Sequence, residues 1–417
     1  MRWRIEDAPE RAAFREQFRG WLREVLPDGW LEAVDNGDDA RFDEIRKSWD
    51  VGQWQRTIGA SGYGAPLWPK EYGGLSGEPW MQAVVREELG RYQLPTASFN
   101  ILGVGLAGPT IIEHGTQEQK ERYLQKILTA EEIWCQLFSE PGSGSDLASL
   151  STRAVRDGDD WVVNGQKVWT SGAQFSAFGM RVARTDPDQP KHDGLSYFIL
   201  DMKSPGVDVR PLKQITGSAE FNEVFLTDVR IPDDQRLGEV GQGWQVSTAT
   251  LMNERVSIGG GALPREGGLI GLAARAWRDQ PGQRTPGLHD RLLRLWADAE
   301  VARLAGERLR QSLAAGQPGP EGSAAKLVFA RLNQEISEFE VELAGEDGLR
   351  YDDWTMRRPE RVSFLDRGTG YRFLRCKGNS IEGGTSEILR NIIAERVLGL
   401  PPEIRVDKNV PWKDLPR

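Results

Sequence analysis

The 417-residue sequence is poor in the residues that build disulfide scaffolds, metal sites and triads. It has two cysteines, Cys135 and Cys376, which are far apart and belong to no CxxC pair. This argues against a disulfide scaffold and a zinc site, and it fits a reducing, cytoplasmic environment best. The three histidines, His114, His192 and His289, are scattered. Their spacing matches neither a metal-ligand set nor a catalytic triad, so we predict no metal ion.

Long apolar runs and a surplus of basic residues are also missing. No stretch approaches the roughly 18 consecutive apolar residues that a membrane helix needs. The N-terminus, MRWRIED, is charged from its first turn and does not resemble a signal peptide. The chain has 53 Lys and Arg against 62 Asp and Glu, a formal net charge of −9, without a long basic run. We therefore predict no transmembrane segment and no nucleic acid partner.

The sequence does contain a clear change of hydrophobic period. Residues 1–131 show the three-to-four-residue apolar spacing of helices, and Thr116 is placed to cap one of them. Residues 132–240 show short alternating runs that indicate strands, and VVNGQKVW predicts a hairpin at its Asn-Gly pair. Long helical patterns return over residues 241–417. We predict an α+β protein with a helical domain, a β domain and a second helical domain at these boundaries.

The most informative stretch is IEGGTSEILRNIIAERVLG, residues 381–399. Gly383 and Gly384 allow a tight turn and the close approach of a ligand. Thr385 can cap the helix that follows, and the free N–H groups at the start of a helix can bind an anion. An ordinary glycine turn before a surface helix explains this segment equally well, so other motifs must decide.

Three other motifs precede it: LFSEPGSGSD (137–146), VVNGQKVWTSGA (162–173) and LMNERVSIGGG (251–261). Each has an ordinary explanation, namely a loop without a ligand, a strand with a core tryptophan, or a solvated ion pair. Apolar neighbours around Glu254 and Arg255 nevertheless indicate a closely packed helix. Burying a charged pair there costs free energy, so a functional role for the pair is favoured. Together, the four motifs and the order of helices, strands and helices resemble the acyl-CoA dehydrogenase family over essentially the whole chain.

The resemblance is closest to actinobacterial-type members and to branched-chain or steroid side-chain members. It implies an N-terminal helical domain, a small central β-barrel or sandwich and a C-terminal four-helix bundle. It also implies FAD-dependent conversion of an acyl-CoA to a trans-2-enoyl-CoA, in which a base removes the α-proton and flavin N5 accepts the β-hydride. Electrons would pass to electron-transfer flavoprotein, and the chain would form a homotetramer or a heterotetramer with a related chain.

The same resemblance assigns residues to the cofactor and the substrate. The predicted flavin contacts are Leu137, Phe138, Ser139, Gly144, Ser145, Trp169, Thr170, Ser171, Thr385 and Glu387. The predicted substrate contacts are Ser145, Arg255 and Gly383. The Ser171 hydroxyl is expected near flavin N5, where a hydrogen-bond donor stabilises the charge that develops on reduction.

Two glutamates compete for the role of base. By resemblance, straight-chain members carry a glutamate immediately before Gly-Thr, but Gly383 occupies that position here and the glutamate is displaced to Glu382. Branched-chain members use the glutamate of the Glu-Arg pair, which corresponds to Glu254. We prefer Glu254 as the catalytic base and keep Glu382 as the alternative.

The sequence departs from the family on the predicted adenine side of the flavin. The stretch RDQPGQRTPG (278–287) has no phenylalanine, Glu342 stands where glutamine is usual, and Glu346 replaces a glycine. Two carboxylates facing a pyrophosphate would repel it, so a heteromeric assembly stays open beside a homotetramer. The acyl group accepted stays open too.

Two other functions compete with a dehydrogenase. One is a flavin oxidase of the same fold, against which the glutamate base argues, because an aspartate is expected there. The other is a non-catalytic subunit that completes a partner's site, against which the retention of Trp169, Ser171 and Glu254 argues.

Overall fold

The computed structural model of the chain describes residues 7–95, 98, 100–259, 265–314, 321–351, 353–359 and 367–416. Helices extend to Leu128, strands follow from Trp134 to Leu237, and helices return from Gly243. The predicted α+β architecture is confirmed. Within the described residues, no helix is long and apolar enough to cross a membrane.

The N-terminal helices contribute to two hydrophobic cores, one rich in aromatic residues and one shared with the β strands. They are α1 (Pro9–Val25), α2 (Trp30–Asn36), α3 (Asp39–Arg46), α4 (Val51–Ala60), α5 (Pro79–Arg91), α6 (Gly108–His114) and α7 (Gln117–Leu128). Thr116 caps α7 as predicted, because its hydroxyl accepts the amide of Gln119 at 3.3 Å while the Gln119 side chain accepts the amide of Thr116 at 2.9 Å. Where α4 meets α7, a Cβ added at Gly59 would lie 2.1 Å from the carbonyl oxygen of Leu128. This close approach of the two backbones requires glycine.

The strands form one sheet whose two halves enclose a core. They are β1 (Trp134–Leu137), β2 (Arg153–Asp157), β3 (Asp160–Ser171), β4 (Phe178–Arg184), β5 (Leu195–Asp201), β6 (Val207–Leu212), β7 (Phe221–Pro232) and β8 (Arg236–Leu237). Their order is β6-β7-β3-β2-β4-β5-β8, with β1 beside β4. The halves meet at the pair Arg153–Arg184 between β2 and β4. Side chains from both halves, including Val163, Phe198 and Val224, share one core, as expected of a sandwich.

The hairpin predicted at Asn164-Gly165 is wrong. Strand β3 runs through these residues and pairs with β7, with a register shift between Val163 and Gly165. The Asn164 side chain donates to the Asp228 carboxylate at 2.9 Å and accepts the Asp228 amide at 2.9 Å. The Asn-Gly pair therefore forms a β-bulge whose side chain bonds to the neighbouring strand. The turn lies after Asp157, between β2 and β3.

The C-terminal helices form a bundle against one edge of the β domain. They are α8 (Gly243–Gly259), α9 (Leu269–Asp279), α10 (Pro286–Ala314), α11 (Gly322–Leu343), α12 (Thr369–Cys376) and α13 (Ser386–Ile392). Helix α11 contacts α8, α9 and α10, and α8 also contacts β5. Helix α8 thereby lies between the bundle and the sheet.

Candidate active site

A cavity of about 2510 Å³ opens where the β domain meets the helices. Its wall contains part of the 138–147 loop, the end of β3, α8, the start of α11 and the 378–385 turn. All four sequence motifs therefore contribute residues to one space, as expected of a large ligand site.

The structure brings most of the predicted site residues to this cavity. Those that line it are Phe138, Ser139, Gly144, Ser145, Trp169, Ser171, Glu254, Glu382, Gly383 and Thr385. The side chains of Leu137 and Thr170 are fully buried in the sheet. Glu387 is exposed and lies 3.5 Å from Arg390. The side chain of Arg255 lies outside the described residues.

Trp169 has an unusual backbone conformation and an exposed side chain. Its φ is +60°, its side chain is 57% exposed, and its ring meets Phe221 edge to face at 5.9 Å between centroids. A non-glycine residue at positive φ is strained and marks a position that the surroundings impose. The interpretation as an ordinary core tryptophan is wrong, because the indole is an open aromatic face on the cavity wall.

The predicted flavin loop is anchored by a buried ion pair that the sequence interpretation missed. The Lys167 ammonium donates to the Glu140 carboxylate at 2.9 Å and to the Phe138 carbonyl at 3.0 Å. Glu140 also accepts the amides of Ser151 at 2.6 Å and Thr152 at 2.9 Å. Burial lowers the pKa of Lys167 to about 8, although Glu140 opposes this shift. A signal was available, since a lysine and a glutamate beside apolar strands need a partner.

Glu382 is a member of an ion-pair network. Its carboxylate accepts the two terminal nitrogens of Arg375 at 2.8 and 3.2 Å and the side-chain amide of Asn379 at 2.5 Å. Arg375 also lies 3.6 Å from Glu220. The arginine thereby occupies both oxygens of the carboxylate with charge-assisted hydrogen bonds.

Glu254 lies on α8 with a different neighbour. It is half-buried at the cavity wall, and the amide nitrogen of Gln136 lies 3.4 Å from its carboxylate. This hydrogen bond is longer than those that Glu382 accepts from Arg375 and Asn379.

Lys326 connects the bundle to the glycine turn, and sequence reasoning missed it as well. Its fully buried ammonium donates to the carbonyl oxygens of Asn379 at 2.8 Å and Gly384 at 2.7 Å. Burial lowers the pKa of Lys326, while the charges of Glu382 and Glu254 oppose that shift. Lys326 is therefore within electrostatic reach of both candidate bases. Its position in an apolar helical pattern was the available signal.

The negative charge that the sequence adds on the predicted adenine side of the flavin is smaller than the sequence suggests. Glu342 forms an ion pair with Arg291 of α10, and Glu338 lies 3.5 Å from the same arginine. The Glu342 charge is therefore partly neutralised within the chain. Glu346 is exposed.

In the part of the chain that the structure describes, no group of three or more His, Cys, Asp or Glu side chains is arranged to hold a metal ion.

The sequence is similar to known proteins along most of its length. Three acyl-CoA dehydrogenase domain models match the sequence: the N-terminal domain over residues 8–131, the middle domain over 135–229 and the C-terminal domain over 241–398. Acyl-CoA dehydrogenase IpdE1 of Mycobacterium tuberculosis (strain ATCC 25618 / H37Rv) is 38% identical over 397 residues, which cover 94% of this chain and 98% of that protein.

Solved structures resemble the whole chain. The Tcur3481-Tcur3483 steroid ACAD matches with a TM-score of 0.74 at 27% identity, covering 96% of this chain and 100% of that one. The ChsE4-ChsE5 complex from Mycobacterium tuberculosis matches with a TM-score of 0.73 at 30% identity and covers the same shares, 96% and 100%.

Proposed function

This chain belongs to the acyl-CoA dehydrogenase family and is an oxidoreductase of that family, and from this premise we propose that it uses FAD to convert an acyl-CoA to a trans-2-enoyl-CoA. The observation that carries the proposal is that Glu254, Trp169 and Ser171 line one cavity. A carboxylate for the α-proton and an aromatic platform for a flavin are thereby available in the same space.

The cavity residues suit a flavin. Trp169 offers an exposed indole face, and the hydroxyl-bearing Ser139 and Ser171 line the same cavity. A planar aromatic ligand stacks on such a face, while hydroxyls can bond to its polar edge. A bound flavin would supply the acceptor for the hydride that leaves the substrate β-carbon.

We assign the proton transfer to Glu254. An exposed carboxylate is a weak base for an α-proton, and substrate that fills the cavity would exclude water from Glu254 and raise its basicity. Glu382 suits this role less well, because Arg375 and Asn379 already bind its oxygens. We further propose that a backbone N–H of the 382–385 turn helps to stabilise negative charge on the thioester oxygen, since fixed donors act best at that atom.

The substrate class and partners follow from the same premise. By resemblance to branched-chain members, a base on α8 favours branched or bulky acyl groups, and the likeness to the Tcur3481-Tcur3483 steroid ACAD supports a bulky acyl chain. We propose electron-transfer flavoprotein as the electron acceptor. The assembly is proposed to be a homotetramer or a heterotetramer with a related chain, and the ChsE4-ChsE5 complex shows that a protein of this fold can occur with a second chain.

The deciding experiment follows the flavin absorbance of the purified chain while short, branched and bulky acyl-CoAs are added without oxygen. Bleaching by any of them would support the dehydrogenase, and the order of rates would rank the substrates. A colourless protein would show that a partner chain is needed to hold the flavin. A yellow protein that no acyl-CoA bleaches would contradict the proposal, and rapid oxygen use during turnover would favour the oxidase.

A further inference from the structure

The C-terminal segment leaves the bundle and returns to the β domain. We call residues 402–414 the C-terminal strap. The Trp412 amide donates to the Gln189 carbonyl at 2.9 Å, and the Lys413 amide donates to the Pro187 carbonyl at 3.1 Å. Backbone bonds thereby attach the strap to the loop between β4 and β5.

Trp412 also attaches the strap to the loop that borders the cavity. Its indole N–H donates to the Ser149 carbonyl at 3.2 Å. The Arg184 guanidinium lies 4.8 Å from the centre of the indole ring and donates to the Ala148 carbonyl at 2.5 Å. The strap and the 146–149 segment are therefore parts of one packed unit.

Lys191 forms the central contact of this unit. Its side chain is 8% exposed, and its ammonium lies 2.9 Å from the Asp146 carboxylate and 2.7 Å from the Asp407 carboxylate. Burial alone would lower the pKa of Lys191, but hydrogen bonds to both carboxylates raise it. Without this cation, two carboxylates would face each other and push the strap away from the loop.

We call the contact of Lys191 with Asp146 and Asp407 the clamp, and both of its carboxylate residues line the cavity. Its lining includes Gly144, Ser145 and Asp146 from the loop and Arg405 and Asp407 from the strap. Gly144 and Ser145 are exposed, so their backbone groups and the Ser145 hydroxyl are open to a ligand. The match to the family's C-terminal domain ends at residue 398, so the strap lies beyond the matched region.

We propose that the C-terminal strap is part of the substrate site, with Lys191 as a positioning residue that holds the 144–149 loop in place at the cavity wall against a bound acyl-CoA. This inference rests on the proposed function and extends it to a further segment. The strap sets the position of the loop, whereas Glu254 performs the proton transfer. Loosening the strap should therefore weaken substrate binding and leave the chemical step almost unchanged.

The first test compares Asp407→Asn with Asp43→Asn, each as the flavin-bound protein. Both remove one negative charge, but Asp43 is exposed on α3, lies outside the strap and does not line the cavity. With the acyl-CoA that bleaches the wild type best, we expect Asp407→Asn to raise KM by about fivefold with kcat within about twofold. Asp43→Asn should match the wild type, and Asp407→Glu should recover most of the lost affinity. Equal KM values in all four proteins would overturn the proposal.

A double-mutant cycle with Lys191→Met examines the clamp itself. If the two residues act through one contact, Asp407→Asn should have little further effect on KM in the Lys191→Met background. Fully additive effects would show that Asp407 acts elsewhere and would contradict the role of Lys191.

Amide hydrogen exchange of residues 143–150 provides a readout that does not need substrate. We expect faster exchange there in Asp407→Asn than in Asp43→Asn. Unchanged exchange would overturn the claim that the strap holds the loop. If no acyl-CoA bleaches the wild type, the proposed function fails and the substrate part of this inference fails with it, whereas the exchange measurement still decides whether the clamp exists.

Discussion

Glu254 and Glu382 line the same cavity but have different neighbours. Glu382 is bound by Arg375 and Asn379, whereas Glu254 lies 3.4 Å from the amide of Gln136. Both oxygens of Glu382 are occupied by charge-assisted hydrogen bonds from Arg375, so this carboxylate serves as a structural contact. The difference teaches that a place on the cavity wall does not make a carboxylate a base, because its hydrogen-bond partners decide whether its oxygens are open to a substrate.

The largest expected effect is that of Glu254→Gln. The amide cannot accept the α-proton, so the rate of flavin reduction by acyl-CoA should fall by about 10²- to 10⁴-fold while flavin stays bound. Stopped-flow absorbance without oxygen measures both quantities. Normal reduction in this variant, together with an inactive Glu382→Gln, would reverse the comparison.

Lys326→Met should have the next largest effect. Loss of the two bonds to the turn should slow flavin reduction by about tenfold, because misplaced groups react slowly. Removal of a nearby cation should also raise the pKa of the base, so the acidic limb of the pH–rate profile should move to higher pH. An unmoved profile would show that Lys326 only supports the turn, and Lys326→Arg, which keeps the charge, serves as the control.

Glu382→Gln should affect stability more than chemistry. Arg375 would lose a partner at a mostly buried position, and we expect the free energy of unfolding to fall by about 1–2 kcal/mol. Glu387→Gln is a matched control, because that exposed glutamate pairs with Arg390 and should cost less than about 0.5 kcal/mol. Denaturant unfolding measures both values. Loss of catalysis without loss of stability would make Glu382 the better candidate base.

The smallest effect is expected for Gln136→Leu. It removes a long hydrogen bond to Glu254, so the rate should change by less than about threefold and the pKa of the base should rise slightly. The pH dependence of flavin reduction measures both effects. A much larger effect would mean that the Gln136 amide orients the carboxylate.

Most of the fold and part of the site could be predicted from local patterns. Hydrophobic period identified the change from helices to strands and back, and the Thr116 cap was visible because capping depends on residues three positions apart. The Asn164-Gly165 hairpin was wrong because the same dipeptide also suits a bulge, and only pairing with Asp228 distinguishes the two. The domain boundaries and the roles of the site residues stay predictions.

The sequence by itself determined the types of elements and the residues available for chemistry, because helix and strand periods and caps depend on near neighbours along the chain. Tertiary structure alone decided which charges meet. Lys326 reaches the Asn379 carbonyl across 53 residues of sequence, and Lys167 reaches Glu140 across 27. The folded chain also places Arg375 and Asn379 on the oxygens of Glu382, and this arrangement supports the preference for Glu254 as the base.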